Sequence, residues 1–158
     1  MTDAELARSV AVEAGELLKS IRASSGLEGA ALGALGDRDA NRLILDRLRA
    51  ARPDDFILSE ESVDDRARCA ASRVWIVDPL DGTREYASGS SEWAVHIGLA
   101  IDGRPALGAV SVPDRDQVFA TDDLPPKHPP ARRVCASSSA AAARPISRVV
   151  SATGWARS

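Results

Sequence analysis

No run of apolar residues in this chain approaches the roughly 18 needed to cross a bilayer, so a membrane span is not expected. Cysteine is scarce: Cys69 and Cys135 are the only two, and they share no metal-type spacing. Reduced thiols are the expectation, in place of a disulfide or a zinc site. Neither sign of charge dominates, because 20 basic and 23 acidic residues interleave to a formal charge of −3. There is no basic field for a nucleic acid polymer and no acidic tail. The opening MTDAELARSVAVEAGELLKSI carries acids where a secretory leader carries cations, so the expected setting is cytoplasmic.

What is present suffices for one domain with a real core: 158 residues, 44% of them hydrophobic. Leu6, Val10, Leu17, Leu18 and Ile21 recur at helical spacing behind Thr2 or Asp3 as N-cap. The Gly-, Ser- and Ala-rich residues 24–36 read as a loop or irregular strand, and a second helix is predicted from Asp37 until Pro53 stops it. FILSEE and SRVWIVDPL read as strands that end in acidic residues. From Trp93 the residues Val95, Ile97, Leu99 and Ile101 alternate, followed by two more strands of a meander, ALGAVSVP and QVFATD. The predicted fold class is α+β: a helix pair packed on one side of a mainly antiparallel sheet over residues 1–121. Residues 122–158 are rich in proline and alanine and read as a linker-like tail.

The chemistry concentrates in WIVDPLDGTREY, residues 75–86, where Asp78 and Asp81 flank Pro79 and Leu80. Proline forbids a regular helix turn there, so both carboxylates belong to a strand end and turn. Two like charges at that spacing repel unless a cation lies between them. Oxygen-only donors, with the Leu80 carbonyl available as a third, suit magnesium. Gly82 and Thr83 follow at once and can offer backbone amides to a phosphate oxygen. A lone aspartate would be read as a turn cap. Two aspartates, Gly-Thr and the acidic strand end at Glu60 and Glu61 are harder to read that way.

WIVDPLDGTREY, together with LSEES upstream, resembles the metal-binding signature of the inositol monophosphatase superfamily of magnesium-dependent, lithium-sensitive phosphatases. LSEE and Arg84-Glu85-Tyr86 are more similar to its CysQ-type branch, the 3′(2′),5′-bisphosphate nucleotidases. The resemblance implies a sugar-phosphatase-like fold and two or three magnesium ions. By it, Glu60 is a metal ligand in preference to Glu61, and Asp78, Asp81 and the Leu80 carbonyl complete the set. Asp37 in LGDRDAN would pair with Thr83 to orient the attacking water. Gly82 and Thr83 would hold the phosphate of a small nucleotide or sugar substrate, in a role tied to sulfur assimilation. Without the resemblance, Asp37 reads as the N-cap of the second helix.

Members of the superfamily are considerably longer, and their second half adds an α/β layer and a further metal-binding aspartate. No aspartate follows Asp123, and Trp155 precedes Ala156. The sequence therefore reads as the N-terminal portion of such an enzyme, with little turnover expected alone. Uncovered surface would invite association, a homodimer included. Inositol monophosphate and fructose bisphosphate are competing substrates, and a non-catalytic metal-binding fragment is a competing role. A haloacid-dehalogenase phosphatase fits poorly, because it needs closer aspartates and a downstream lysine, whereas Lys19 and Lys127 are the only lysines. Arg84 and Arg115 read as solvated, and His96 as a structural side chain on the strand face opposite Trp93, Val95 and Ile97.

Overall fold

The computed structural model describes residues 1–61 and 71–123. Helix α1, Asp3–Ser24, begins with a capping box in which the Thr2 hydroxyl accepts from the Glu5 amide and the Glu5 carboxylate accepts from the Thr2 amide. Its apolar stripe, including Leu6, Val10, Ala14 and Leu18, is fully buried. Helix α2, Gly29–Ala51, follows. The strands are β1 (Phe56–Ser59), β2 (Arg73–Asp81), β3 (Ala94–Ile101), β4 (Arg104–Val112) and β5 (Gln117–Ala120), with the short helix α3, Thr83–Ala87, between β2 and β3.

The strands form one sheet in the order β1-β2-β3-β4-β5. β1 runs parallel to β2, and every other pairing is antiparallel, which is the mainly antiparallel sheet expected. Trp75, Val77, Val95, Ile97, Leu99 and Ala109 are buried on one face, where α1 lies over β3 and β4 and α2 over β2. The outer face carries smaller or more exposed residues, among them Ile76, Gly98 and Phe119. A 3₁₀ turn at Thr121–Asp123 is tied to α1 by Arg8, which pairs with Asp122 and Asp123.

The predicted start of the second helix needs correction. α2 begins at Gly29, eight residues before Asp37, so only residues 25–28 of the stretch 24–36 form the expected loop, the rest from Gly29 on is helical, and Asp37 lies inside the helix instead of capping it. The reason is packing. A Cβ on Gly36 would stand 2.9 Å from the Tyr86 ring and 3.0 Å from Leu18, and one on Gly33 would stand 2.9 Å from Thr83 Cγ2. The glycines weaken the helix locally by about 1 kcal/mol each, yet they let α2 close on α1 and α3. Tertiary contact overrides propensity here. Cys69, Cys135 and the tail from residue 124 lie outside the described residues, and among the described residues no helix is long and apolar enough to cross a membrane.

Candidate active site

In a regular strand, residues i and i+3 point to opposite faces. Asp78 and Asp81 do not. Asp78 pairs with His96 and Asp81 with Ala94, so three steps on β2 answer two on β3, and the ladder shifts between them. This one-residue bulge resets the alternation and brings both aspartates onto the face that carries His96. Pro79, which has no amide to give the ladder, sits at the bulge where that loss does least harm. A break in strand parity inside β2 thus puts the two carboxylates on one face.

The carbonyl of Leu80 accepts the Thr83 hydroxyl at 3.0 Å, which leaves its second lone pair for another partner. The Leu80 amide donates to Asp78 at 3.2 Å. Gly82, the N-cap of α3, has φ +84, and a Cβ there would lie 2.7 Å from the Glu92 carbonyl, so only glycine fits. It turns the chain directly from β2 into α3. α3 is then held from behind: the buried Tyr86 hydroxyl donates to the Leu18 carbonyl of α1 at 2.7 Å.

β1 delivers the two glutamates. Its last residue, Ser59, is buried and donates from its hydroxyl to Asn41 on α2 at 2.7 Å. Asn41 is one helical turn beyond Asp37, so this bond draws the strand end towards that aspartate. Glu61, ranked second by the resemblance, lies against Asp37. Asp37, Glu61, Thr83 and Arg84 line one open groove of about 700 Å³ between α2 and α3, whose floor is Gly33, Ala34 and Ala87. Asp37 and Thr83, which the resemblance pairs, thus line the same groove.

The acids sense one another. The Asp37 carboxyl is pushed up to about 7, by burial first and then by the charge of Glu61, a hydrogen bond with it, and the charges of Glu60 and Asp78. Glu60 is raised by burial and by Asp78, Glu61 and Asp81. Asp78 is raised by burial and Asp81, against the opposing pull of His96 and the Leu80 amide. Among the described residues, no lysine or arginine pairs with Asp37, Glu60 or Asp78. Such uncompensated, oxygen-only charge fits a hard dication. Among the described residues, no three acidic, histidine or cysteine side chains already converge closely enough to hold one, so the ligands would have to rotate inward. Arg115 forms an exposed ion pair with Glu92. His96, whose alternation marks it as a structural strand residue, stands beside both aspartates.

The profile of the inositol monophosphatase family matches residues 3–125. The 3′-phosphoadenosine 5′-phosphate phosphatase of Mycobacterium leprae is 51% identical over 136 residues, 78% of this chain and 50% of that protein. The 3′(2′),5′-bisphosphate nucleotidase CysQ of Escherichia coli K12 is 42% identical over 85 residues, 53% of this chain and 35% of that protein. Among solved structures, CysQ from Bacteroides thetaiotaomicron superposes with a TM-score of 0.66 at 30% identity, covering 75% of this chain and 45% of that one. Inositol monophosphatase II from Staphylococcus aureus gives 0.68 at 27% identity, covering 73% and 43%. The chain spans about half the length of the first of these relatives. With its helix pair on a mainly antiparallel sheet and a family match that spans both acidic strand ends, the chain belongs to the inositol monophosphatase family.

Proposed function

We propose that these residues form the metal- and phosphate-binding part of a magnesium-dependent phosphomonoesterase acting on 3′(2′),5′-bisphosphate nucleotides, converting adenosine 3′,5′-bisphosphate to AMP and phosphate. The observation that carries this reading is the bulge that turns Asp78 and Asp81 to one face beside the Gly82 turn. The names of the similar proteins favour the nucleotide substrate, and the same proposal assigns the activity to sulfur assimilation in the cytoplasm. Asp78, Asp81, Glu60 and the Leu80 carbonyl would hold magnesium, with Glu61 the alternative at the β1 end. Bound there, magnesium supplies Lewis-acid polarisation of the ester and of water.

The chain's own residues do the rest. Thr83, anchored on the Leu80 carbonyl, and Asp37, across the groove, would hold the attacking water between them. The backbone amides of Gly82 and Thr83 would take a phosphate oxygen. Because the chain spans about half of its relatives, the activity proposed is that of the complete fold, and the 158-residue chain is expected to bind the cation and turn over slowly. The test is phosphate release with magnesium from adenosine 3′,5′-bisphosphate, inositol 1-phosphate and fructose 1,6-bisphosphate, run side by side. Preference for the nucleotide, however slow, supports the reading; preference for either sugar transfers it to inositol monophosphatase or fructose bisphosphatase activity. Stabilisation by magnesium with no turnover of any substrate would favour a non-catalytic metal-binding role.

A further inference from the structure

His96 lies at the centre of the outer sheet face, paired across the ladder with Asp78 on β2 and Val110 on β4. Its side chain is 42% exposed, yet its Nε2 is buried and makes no hydrogen bond. That nitrogen is 3.3 Å from Oδ2 of Asp81, close enough for a bond but wrongly angled for one. A buried polar atom without a partner is destabilising unless something completes it. The bulge places a partner beside it, since the same parity shift puts Asp81 on this face, with Oδ2 within 3.3 Å of the imidazole.

We infer that His96 is a positioning residue for Asp81: its Nε2–H takes Oδ2 when the carboxylate turns, which leaves Oδ1 directed at the cation. This rests on the magnesium reading of the site. An imidazole suits the task because it offers Asp81 one directed hydrogen bond from a ring held on the same sheet face. An arginine or lysine at position 96 would neutralise Asp81 and repel the cation.

Magnesium titration of the 158-residue chain by calorimetry, with melting temperature as a second readout, tests this. His96→Ala should weaken magnesium binding by about tenfold while leaving the melting temperature in chelator unchanged. His96→Gln, whose amide nitrogen reaches about where Nε2 sits, should recover most of the affinity. Equal affinity in wild type and His96→Ala, or no rescue by His96→Gln, overturns the inference. Should His96→Ala fail to fold, ¹⁵N NMR of the wild-type imidazole decides: a slowly exchanging Nε2 proton should emerge on adding magnesium, and an unchanged spectrum refutes it. If the wild type takes no magnesium, the proposed site itself falls, and His96's role with it. If wild type and His96→Ala bind alike, the site stands and only the role of His96 is lost.

Discussion

Asp78 and Asp114 are both half-buried aspartates beside strand ends, but their surroundings treat the charge in opposite ways. At Asp114, burial alone would raise the carboxyl, yet Arg22 and the Trp93 indole outweigh it and hold it below the usual carboxylate range. Arg22 bonds both Asp114 oxygens at 2.6 Å and the Ser90 carbonyl at 3.1 Å, and its guanidinium is stacked 5.4 Å from the Tyr86 ring and 5.3 Å from the Trp93 ring. The two rings meet edge to face at 5.1 Å. This cluster joins α1, α3, the segment leading into β3 and the turn after β4 with its charges matched. Asp78 sits among acids and is raised. One aspartate is braced by a cation of the fold; the other stands among acids with its charge uncompensated.

Exchanging either aspartate for a neutral residue should therefore have opposite consequences. Asp78→Asn has the largest expected effect on function: at least about a hundredfold loss of magnesium affinity and of any phosphatase activity. In chelator the same variant should gain about 1 kcal/mol, or 2–4 °C in melting temperature, as repulsion is relieved. Calorimetry and a melt with and without magnesium measure both. A variant that binds magnesium like the wild type removes Asp78 from the site. Asp114→Ala should do the reverse, costing about 3 kcal/mol because it strands the Arg22 charge, roughly 6–12 °C, while magnesium still raises the melting temperature. Urea denaturation checks the size, and a loss below about 1 kcal/mol would mean the cluster is not the brace described here.

The pH dependence sharpens the contrast. Folded Asp37 keeps its proton up to about 7, against 3.8 as its ordinary value, so folding takes up protons in that window. Stability in chelator should then fall as pH rises from about 4 to 7, by on the order of 1–2 kcal/mol, with Glu60 and Asp78 adding in the same direction. Asp114, Asp3 and Asp55 are held below their ordinary value against the raising effect of burial, the last two by Arg73 with Arg52 or Trp75. Their contribution is complete above about 4 and disappears as pH falls through their lowered values. Metal-free protein should be most stable near pH 4, and saturating magnesium should flatten the loss towards pH 7. A monotonic rise in stability from pH 4 to 7 in chelator would contradict the uncompensated cluster.

Much of this was legible in the residues. The α1 cap and stripe, the alternation of β3 and the acidic strand ends are local patterns, and each formed where its period placed it. What escaped the sequence depends on partners distant in the chain. Gly33 and Gly36 read as loop because propensity counts only the helix itself, whereas their value lies in Thr83 and Tyr86 approaching from α3. Asp37 read as a cap for the same reason. The bulge was hidden because Asp78 and Asp81 at i and i+3 reveal a shared face only once the register against His96 and Ala94 is known. His96 itself looked like an ordinary alternating strand residue.

Gly33 allows the smallest and most discriminating test of the comparison between brace and site. Ala at 33 would gain about 1 kcal/mol of helix propensity and lose a similar amount to the 2.9 Å contact with Thr83 Cγ2. Net stability should therefore move by less than about 1 kcal/mol. The strain, however, falls on one side chain, and Thr83 must shift by a few tenths of an ångström or turn away from the Leu80 carbonyl. Turnover of the nucleotide should drop about tenfold while magnesium affinity and melting temperature hold, because displacement of a positioning group costs rate far more than stability. Gly36→Ala presses on Tyr86 and Leu18 in the brace and should show the opposite balance, a loss of about 1–3 kcal/mol with the magnesium response retained. If the two alanine variants behave alike, α2 does not separate the two regions, and the close approach at Gly33 is packing alone.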